Sequence, residues 1–310
     1  MTVKEAKVVF DHIFNELELV VVGQRQLLEQ MLVAILCDAN ALLESVPGLA
    51  KTLSIKTLSQ VMDLKFARVQ ATPDLMPSDI TGTYVLDEHH GKREFTFQPG
   101  PIFANIVLVD EINRATPKTQ SALLEAMQEK QVTVLNKTYP MEKPFFVLAT
   151  QNPIEQEGTF PLPEAQQDRF LLKIRVDYPT VKDELEIVER FTEKGQLKVP
   201  KAIIKKDTLL KLQETAMLIP ISNDLKKMIV NAVTQTRKMP ELIENGASPR
   251  ASIGLVQAAK ARALIQGRNY VSKEDVIEMA YPVLRHRILL SFEAQRKSMS
   301  PDDIIAKIVK

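Results

Sequence analysis

The segment Ser45-Val46-Pro47-Gly48-Leu49-Ala50-Lys51-Thr52 constrains this chain more than any other. It carries the Lys-Thr pair and a middle glycine of a phosphate-binding loop. In such a loop backbone N–H groups wrap a phosphate chain, the lysine reaches the terminal phosphates, and the hydroxyl serves magnesium. Ser45 and Ala50 stand where the plain pattern G-x-x-x-x-G-K-[ST] has glycine, so the flanks decide the reading. Ala41-Leu42-Leu43 before the loop is short enough for a buried strand. After it, Leu53, Ile55, Leu58, Val61 and Met62 recur at helical spacing. Strand, loop and helix in that order place the loop at a positive helix end, where anions bind.

Alternating short β-rich runs and helical patterns over the first 180 or so residues predict a mainly parallel sheet covered on both faces. The expected strands are Lys65 to Gln70, Ile106 to Asp110, Phe145 to Ala149 and Leu171 to Val176. A helix over Pro117 to Lys130 is expected with Thr116 as its cap. Two hairpins interrupt the rhythm: Thr83–Asp87 with Arg93–Gln98, turning through His89-His90-Gly91, and Gln131–Leu135 turning at Asn136-Lys137. Beyond Val181 strand signals vanish. Helical patterns follow at 181–193, 207–217, 222–239, 249–267 and 272–291, with Pro282 expected to kink or end the last. Gly195 to Lys206 reads as a linker, giving an α/β nucleotide-binding domain over 1–198 and an all-helical lid over 199–310.

Four aliphatic residues lead into Asp110-Glu111, the second half of a nucleotide-hydrolysis site. One carboxylate holds the metal shell and the next polarises the attacking water. Asn152, in Ala149-Thr150-Gln151-Asn152-Pro153, can orient that water if its strand neighbours the acidic pair. Arg169 closes Leu162-Pro163-Glu164-Ala165-Gln166-Gln167-Asp168-Arg169-Phe170. It is either a surface partner of Asp168 or Glu164, or an arginine finger reaching a neighbour's γ-phosphate. Arg114 is a second candidate for that boundary. Ser248-Pro249-Arg250 reads as a helix start whose cation opposes the helix dipole unless a phosphate lies nearby.

Whole-chain properties narrow the classes. Forty Lys and Arg against 39 Asp and Glu provide no excess charge for non-specific nucleic-acid binding. The lone cysteine, Cys37, excludes an internal disulfide and reads as a packed thiol, and the four histidines show no metal spacing. The absence of an 18-residue uncharged apolar run or a signal peptide's apolar core makes a cytoplasmic protein without a membrane span the expectation.

Taken in order, Val22-Gly23-Gln24, Ser45 to Thr52, Val107 to Arg114, Ala149 to Pro153, Leu162 to Phe170 and Ser248 to Ala251 resemble the MoxR family of AAA+ ATPases, over nearly the whole chain. The resemblance implies a P-loop NTPase core with a helical lid, ATP and Mg2+ as cofactors, and a ring-forming homo-oligomer, commonly a hexamer. It also implies a chaperone-like role on a protein client, often beside a partner with a von Willebrand factor A domain. By position, Val22, Gly23 and Gln24 would contact adenine. Residues 45–53, from Ser45 through Val46, Pro47, Gly48, Leu49, Ala50, Lys51 and Thr52 to Leu53, would bind the phosphates, with Thr52 and Asp110 serving the metal. Glu111 would be the catalytic carboxylate, Asn152 the first sensor, Arg169 the finger and Arg250 the second sensor. The two hairpins would be the elements that touch substrate inside the ring. Ser45 departs from the usual glycine. A positive φ there would cost about 1 kcal/mol or more, so weakened nucleotide binding is the expectation. Two further readings follow: a nucleotide-sensing scaffold with little turnover because of Ser45, and a nucleic-acid motor, against which the neutral charge counts.

Overall fold

The computed structural model describes residues 1–46, 48–89, 92–153, 158–192 and 199–309. Two helices come first. α1 (Val3–Glu18) starts on a capping box in which Thr2 and Glu5 satisfy each other's backbone N–H groups, and α2 (Arg25–Leu36) follows. The α/β portion contains β1 (Ala41–Glu44), α3 (Lys51–Val61), β2 (Phe66–Gln70), α4 (Pro77–Thr81), the hairpin β3 (Gly82–His89) and β4 (Lys92–Pro99), and β5 (Ile106–Asp110). After α5 (Pro117–Glu129) come the hairpin β6 (Gln131–Val134) and β7 (Lys137–Pro140), then β8 (Phe146–Gln151), α6 (Glu164–Gln167) and β9 (Leu172–Arg175).

Five strands form one parallel sheet in the order β2-β5-β8-β1-β9. β5 is buried along its whole length, because helices cover both faces of a central parallel strand and leave no reason to alternate polarity. The strands match expectation, with end shifts: β8 begins at Phe146 and runs to Gln151, and β9 begins at Leu172. α5 starts as predicted, with Pro117 in its first turn and the Thr116 hydroxyl accepting from the Thr119 N–H. Both hairpins form, and an aromatic cluster joins them. The Tyr84 and Tyr139 hydroxyls are 2.7 Å apart, and Phe97 stacks on Tyr139 at 4.2 Å between centroids. The turn read at His90-Gly91 lies outside the described residues.

Helices dominate the remainder: α7 (Val181–Thr192), α8 (Lys206–Leu218), α9 (Asn223–Gln235), α10 (Pro249–Ile265) and α11 (Lys273–Leu284). Then come α12 (Phe292–Arg296) and α13 (Pro301–Ile308). Two expectations are corrected here. Strands do not vanish: β10 (Ile243–Asn245) pairs antiparallel with β11 (Leu289–Leu290), a ladder too short to leave a periodic signal. Nor does one helix cover 272–291. Pro282 sits inside α11, which ends two residues later at Leu284, and the chain turns before β11. Part of the expected linker, 193–198, lies outside the described residues, and so does the proposed domain boundary. Cys37 caps α2 and packs against the core, where burial pushes its thiol pKa up. The larger apolar core runs from α1 and α2 through one face of the sheet into α8, α10, α11 and α13; a second, smaller core fills the other face. α10 and α11 are braced by the fully buried Asp275 carboxylate, which accepts from Arg262 at 2.7 Å and from Arg268.

Candidate nucleotide site at the C-terminal edge of the sheet

β1, β5 and β8 are adjacent and parallel, so the segments that follow them emerge on one edge. β1 ends in the phosphate-loop segment, β5 in Asp110-Glu111 and β8 in Thr150-Gln151-Asn152. The condition set for Asn152, that its strand neighbour the acidic pair, is met, and Asn152 is buried.

In the loop, left-handed backbone occurs at Gly48 (φ +88°) and Ala50 (φ +53°), and Ser45 lies outside that region. The expected strain is therefore misplaced. Ser45 extends the ladder, its N–H donating to the Gln151 carbonyl at 3.3 Å and its hydroxyl to the Val46 carbonyl at 3.0 Å. Its Cβ needs no glycine, and the physical reason for a turnover-deficient scaffold goes with it. Pro47 lies outside the described residues. α3 begins at Lys51 with no side chain capping its first N–H groups and no acidic residue in its first turn. Such an end keeps its donors and its positive dipole for an anion.

Thr150 ties the acidic pair to the neighbouring strand. Its hydroxyl donates to Asp110 Oδ1 at 3.2 Å and accepts the Glu111 N–H at 2.9 Å. Glu111 takes a left-handed φ of +56°, a strained conformation that turns its carboxylate away from the strand line. Arg68 Nε donates to Asp110 Oδ2 at 2.7 Å. Glu111 Oε2 accepts from Gln70 Nε2 at 3.2 Å and pairs with Arg114 Nε at 2.9 Å. Arg114, the second boundary candidate, is thus engaged with its own chain's Glu111. Thr52 supplies a hydroxyl and Asp110 a carboxylate, hard-oxygen donors of the kind that suits magnesium shared with phosphates. Sequence reasoning missed Arg68, Gln70 and Thr150. Gln70 faces Asp110 in the β2–β5 register, and that pairing is invisible until strand order is known.

Val22 is buried beside Gly23 (φ +70°), and Gln24 precedes α2 at the N-cap position without a side-chain bond to the helix. A Cβ on Gly23 would meet Asp183 of α7 within 2.9 Å, so this position needs glycine for space as well as conformation.

Arg169 and Arg250 lie elsewhere. Leu171 N–H donates to the Asn40 carbonyl just before β1 and β9 begin, so Arg169 stands at the N-terminal edge of the sheet, with the length of β1 between it and Lys51. Asn40, Arg169 and Arg250 line one cavity of about 180 Å3. The expected ion pairs of Arg169 do not form: it is exposed and takes no ion-pair partner among the described residues. Asp168 is consumed instead by Arg287 at 2.7 Å, the Ser248 hydroxyl at 3.2 Å and Arg250 at 3.4 Å. The Arg287 side chain is almost inaccessible to solvent and also donates to the carbonyls of Asp168, Phe170, Leu171 and Val283. Burial lowers its pKa, and the pair with Asp168 works against that shift. Beside it, burial holds the His286 pKa well below its ordinary value, so at neutral pH its Nε2–H donates to the Phe170 carbonyl at 3.0 Å. Sequence reasoning overlooked both residues because 272–291 reads as a single helix.

Residues 40–172 match the family model "ATPase family associated with various cellular activities (AAA)", and residues 238–308 match the AAA lid domain. Chaperone MoxR1 of Mycobacterium tuberculosis is 46% identical over 303 residues, covering 95% of this chain and 79% of that protein. The chain belongs to the MoxR family of AAA+ ATPases. Protein MoxR of Paracoccus denitrificans is 30% identical, covering 91% of this chain and 89% of that protein. A crystal structure of a Cytophaga hutchinsonii protein, named as a candidate ATPase, superposes with a TM-score of 0.92 at 43% identity, covering 99% of this chain and 95% of that one. Membership carries nucleotide binding and ATPase activity, in a superfamily that typically assembles as rings. No helix among the described residues is long and apolar enough to cross a membrane.

Proposed function

We propose that this MoxR-family ATPase hydrolyses ATP with magnesium at sites split between neighbouring protomers of a ring, commonly a hexamer, and uses the cycle to remodel a protein client in the cytoplasm. The division would be an α/β domain over 1–198 and a lid over 199–310. The observation that carries the reading is the separation of Arg169 and Arg250 from Lys51 by the full length of β1. A cation needed at the γ-phosphate, and unable to reach its own chain's loop, must serve a neighbour's.

In this scheme the N–H groups opening α3 and Lys51 hold the phosphates, while Thr52 and Asp110 hold magnesium. The ion, when bound, neutralises charge on the phosphate oxygens. Glu111 orients and deprotonates the attacking water once it exchanges its bond to Arg114, and Asn152 fixes the water's position. Arg169, supplied from the next protomer, meets the charge that develops on the transferred group, with Arg250 beside it. The two joined hairpins support the client reading: they expose Leu86, Phe95 and Leu135, apolar side chains suited to gripping a polypeptide. A partner with a von Willebrand factor A domain fits the family, and client identity is open to capture with a Glu111→Gln trap.

The test is complementation. Glu111→Gln and Arg169→Ala proteins should each bind ATP like wild type and hydrolyse it about 10²–10⁴-fold more slowly. A mixture of the two, shown to co-assemble, should regain phosphate release, because some boundaries unite an intact Glu111 with an intact Arg169. A co-assembled mixture that stays inactive refutes the split site.

A further inference from the structure

α7 is amphipathic the wrong way round. Val181, Leu185, Val188 and Phe191 fall on one helical face, each more than half exposed, and no residue of the helix is fully buried. Its polar side faces the protein instead. Arg190 donates to the carbonyls of Glu18 and Leu19 at 2.9 Å and pairs with Glu186, while Asp183 packs over Gly23. Rolling the helix to bury its apolar side would break both Arg190 bonds to the α1 end and lift Asp183 off Gly23. With Tyr178 just ahead of it, the stripe reaches the few-hundred-Å2 size at which exposed apolar patches mark an interaction surface.

We infer that this stripe is half of the contact between copies of the chain, and that it seats on the arginine cleft of the next copy. The receiving cleft, about 290 Å3, lies at the N-terminal edge of the sheet. Met127, Leu171 and the exposed Ile253 give it apolar surface, and Arg169 and Arg250 give it charge. α7 is complementary in both respects. It carries four acidic residues against two basic, and Glu184 and Glu189 border the stripe without ion-pair partners among the described residues. The two patches occupy opposite edges of one sheet, the requirement for a head-to-tail contact that propagates around a ring. One α7 supplies about half of the ~800 Å2 per partner of a standard interface, so it steers and strengthens the boundary without holding it alone.

The inference rests on the split-site reading, and one set of measurements separates the two. In sedimentation velocity with a non-hydrolysable ATP analogue, Leu185→Ser/Val188→Ser should raise the dissociation constant of the oligomer at least about tenfold. The thermal midpoint and nucleotide binding of the protomer should stay at wild-type values, since both side chains are already in solvent. Ile253→Ser should weaken assembly in the same direction. In a Cys37→Ser background, Leu185→Cys with Ile253→Cys should give multimer ladders with a bifunctional maleimide, and neither cysteine alone should do so. Assembly of the double serine variant at wild-type concentration, or no ladder in a protein shown to be oligomeric, overturns the α7 contact. If that happens while the Glu111→Gln and Arg169→Ala mixture still recovers activity, the split site stands and the contact alone falls. A wild type that remains monomeric with nucleotide removes both.

Discussion

The two edges of the sheet are built on opposite electrostatic plans. At the C-terminal edge, Asp110 and Glu111 are each covered by an arginine that is itself half in water: the side chains of Arg68 and Arg114 are 50% and 41% exposed. At the N-terminal edge, Asp168 is bound by Arg287, whose side chain is 4% exposed and which donates to four carbonyls as well. The first arrangement can be exchanged for a metal or a water at little cost. The second cannot be exchanged without leaving buried donors and acceptors unpaired. The candidate catalytic carboxylates thus sit where partners are removable. The arginine edge is locked internally, and Arg169 is left free to face outward.

Substitutions of the two arginines test that contrast most directly. Arg287→Ala should cost about 3 kcal/mol of stability, read as a lower urea midpoint, because it removes the shortest charged bond to Asp168 together with four donors to backbone carbonyls. Arg68→Ala removes an equally short bond to a carboxylate but should cost under about 1 kcal/mol, since solvent screens an exposed pair. Equal losses from both would erase the distinction between the edges.

A smaller effect sharpens the picture inside the loop. Ser45 is buried and lies outside the left-handed region, whereas Ala50 holds a left-handed φ. Ala50→Gly should therefore raise stability by roughly 0.5–1 kcal/mol, the relief of the left-handed penalty offset in part by a more flexible unfolded chain. Ser45→Gly should lower it by a similar amount. Thermal unfolding of the two variants should move in opposite directions, and a stabilising Ser45→Gly would restore the strain first expected there.

The sheet, and the placing of the loop, the acidic pair and Asn152 on one edge of it, were legible because their signals are local. The run Ile106–Asp110 ends where charge begins, and the helical spacing after Lys51 follows directly from the loop. Asn152 needed one added assumption, strand adjacency, which the register of β5 with β8 satisfies. What stayed hidden depends on distance in sequence. The bond of Arg68 to Asp110 spans 42 positions and that of Arg287 to Asp168 spans 119, and neither leaves a pattern in either segment alone. The inverted orientation of α7 was hidden for a related reason. Periodicity locates an apolar stripe without telling which side meets the protein. The misplaced strain at Ser45 shows a further limit: a motif names the residue that usually accommodates a φ without revealing which position in this loop adopts it.

The smallest expected effect concerns acid sensitivity of the locked edge. His286 is buried against Phe170, and burial, then the cations of Arg287, Lys173 and Arg285, depress its folded pKa. In the unfolded chain the ring titrates near its ordinary value of about 6.5. Below that pH the unfolded state takes up a proton that the folded state refuses, so the balance moves toward unfolding. The contribution is thus fully present above about pH 6.5 and is lost as pH falls toward the folded pKa. The thermal midpoint of the wild type should drop between pH 7 and pH 5, and His286→Gln, whose amide can still donate to the Phe170 carbonyl, should flatten that slope whatever its midpoint at pH 7. An unchanged slope would show that His286 takes up its proton without opening the arginine edge.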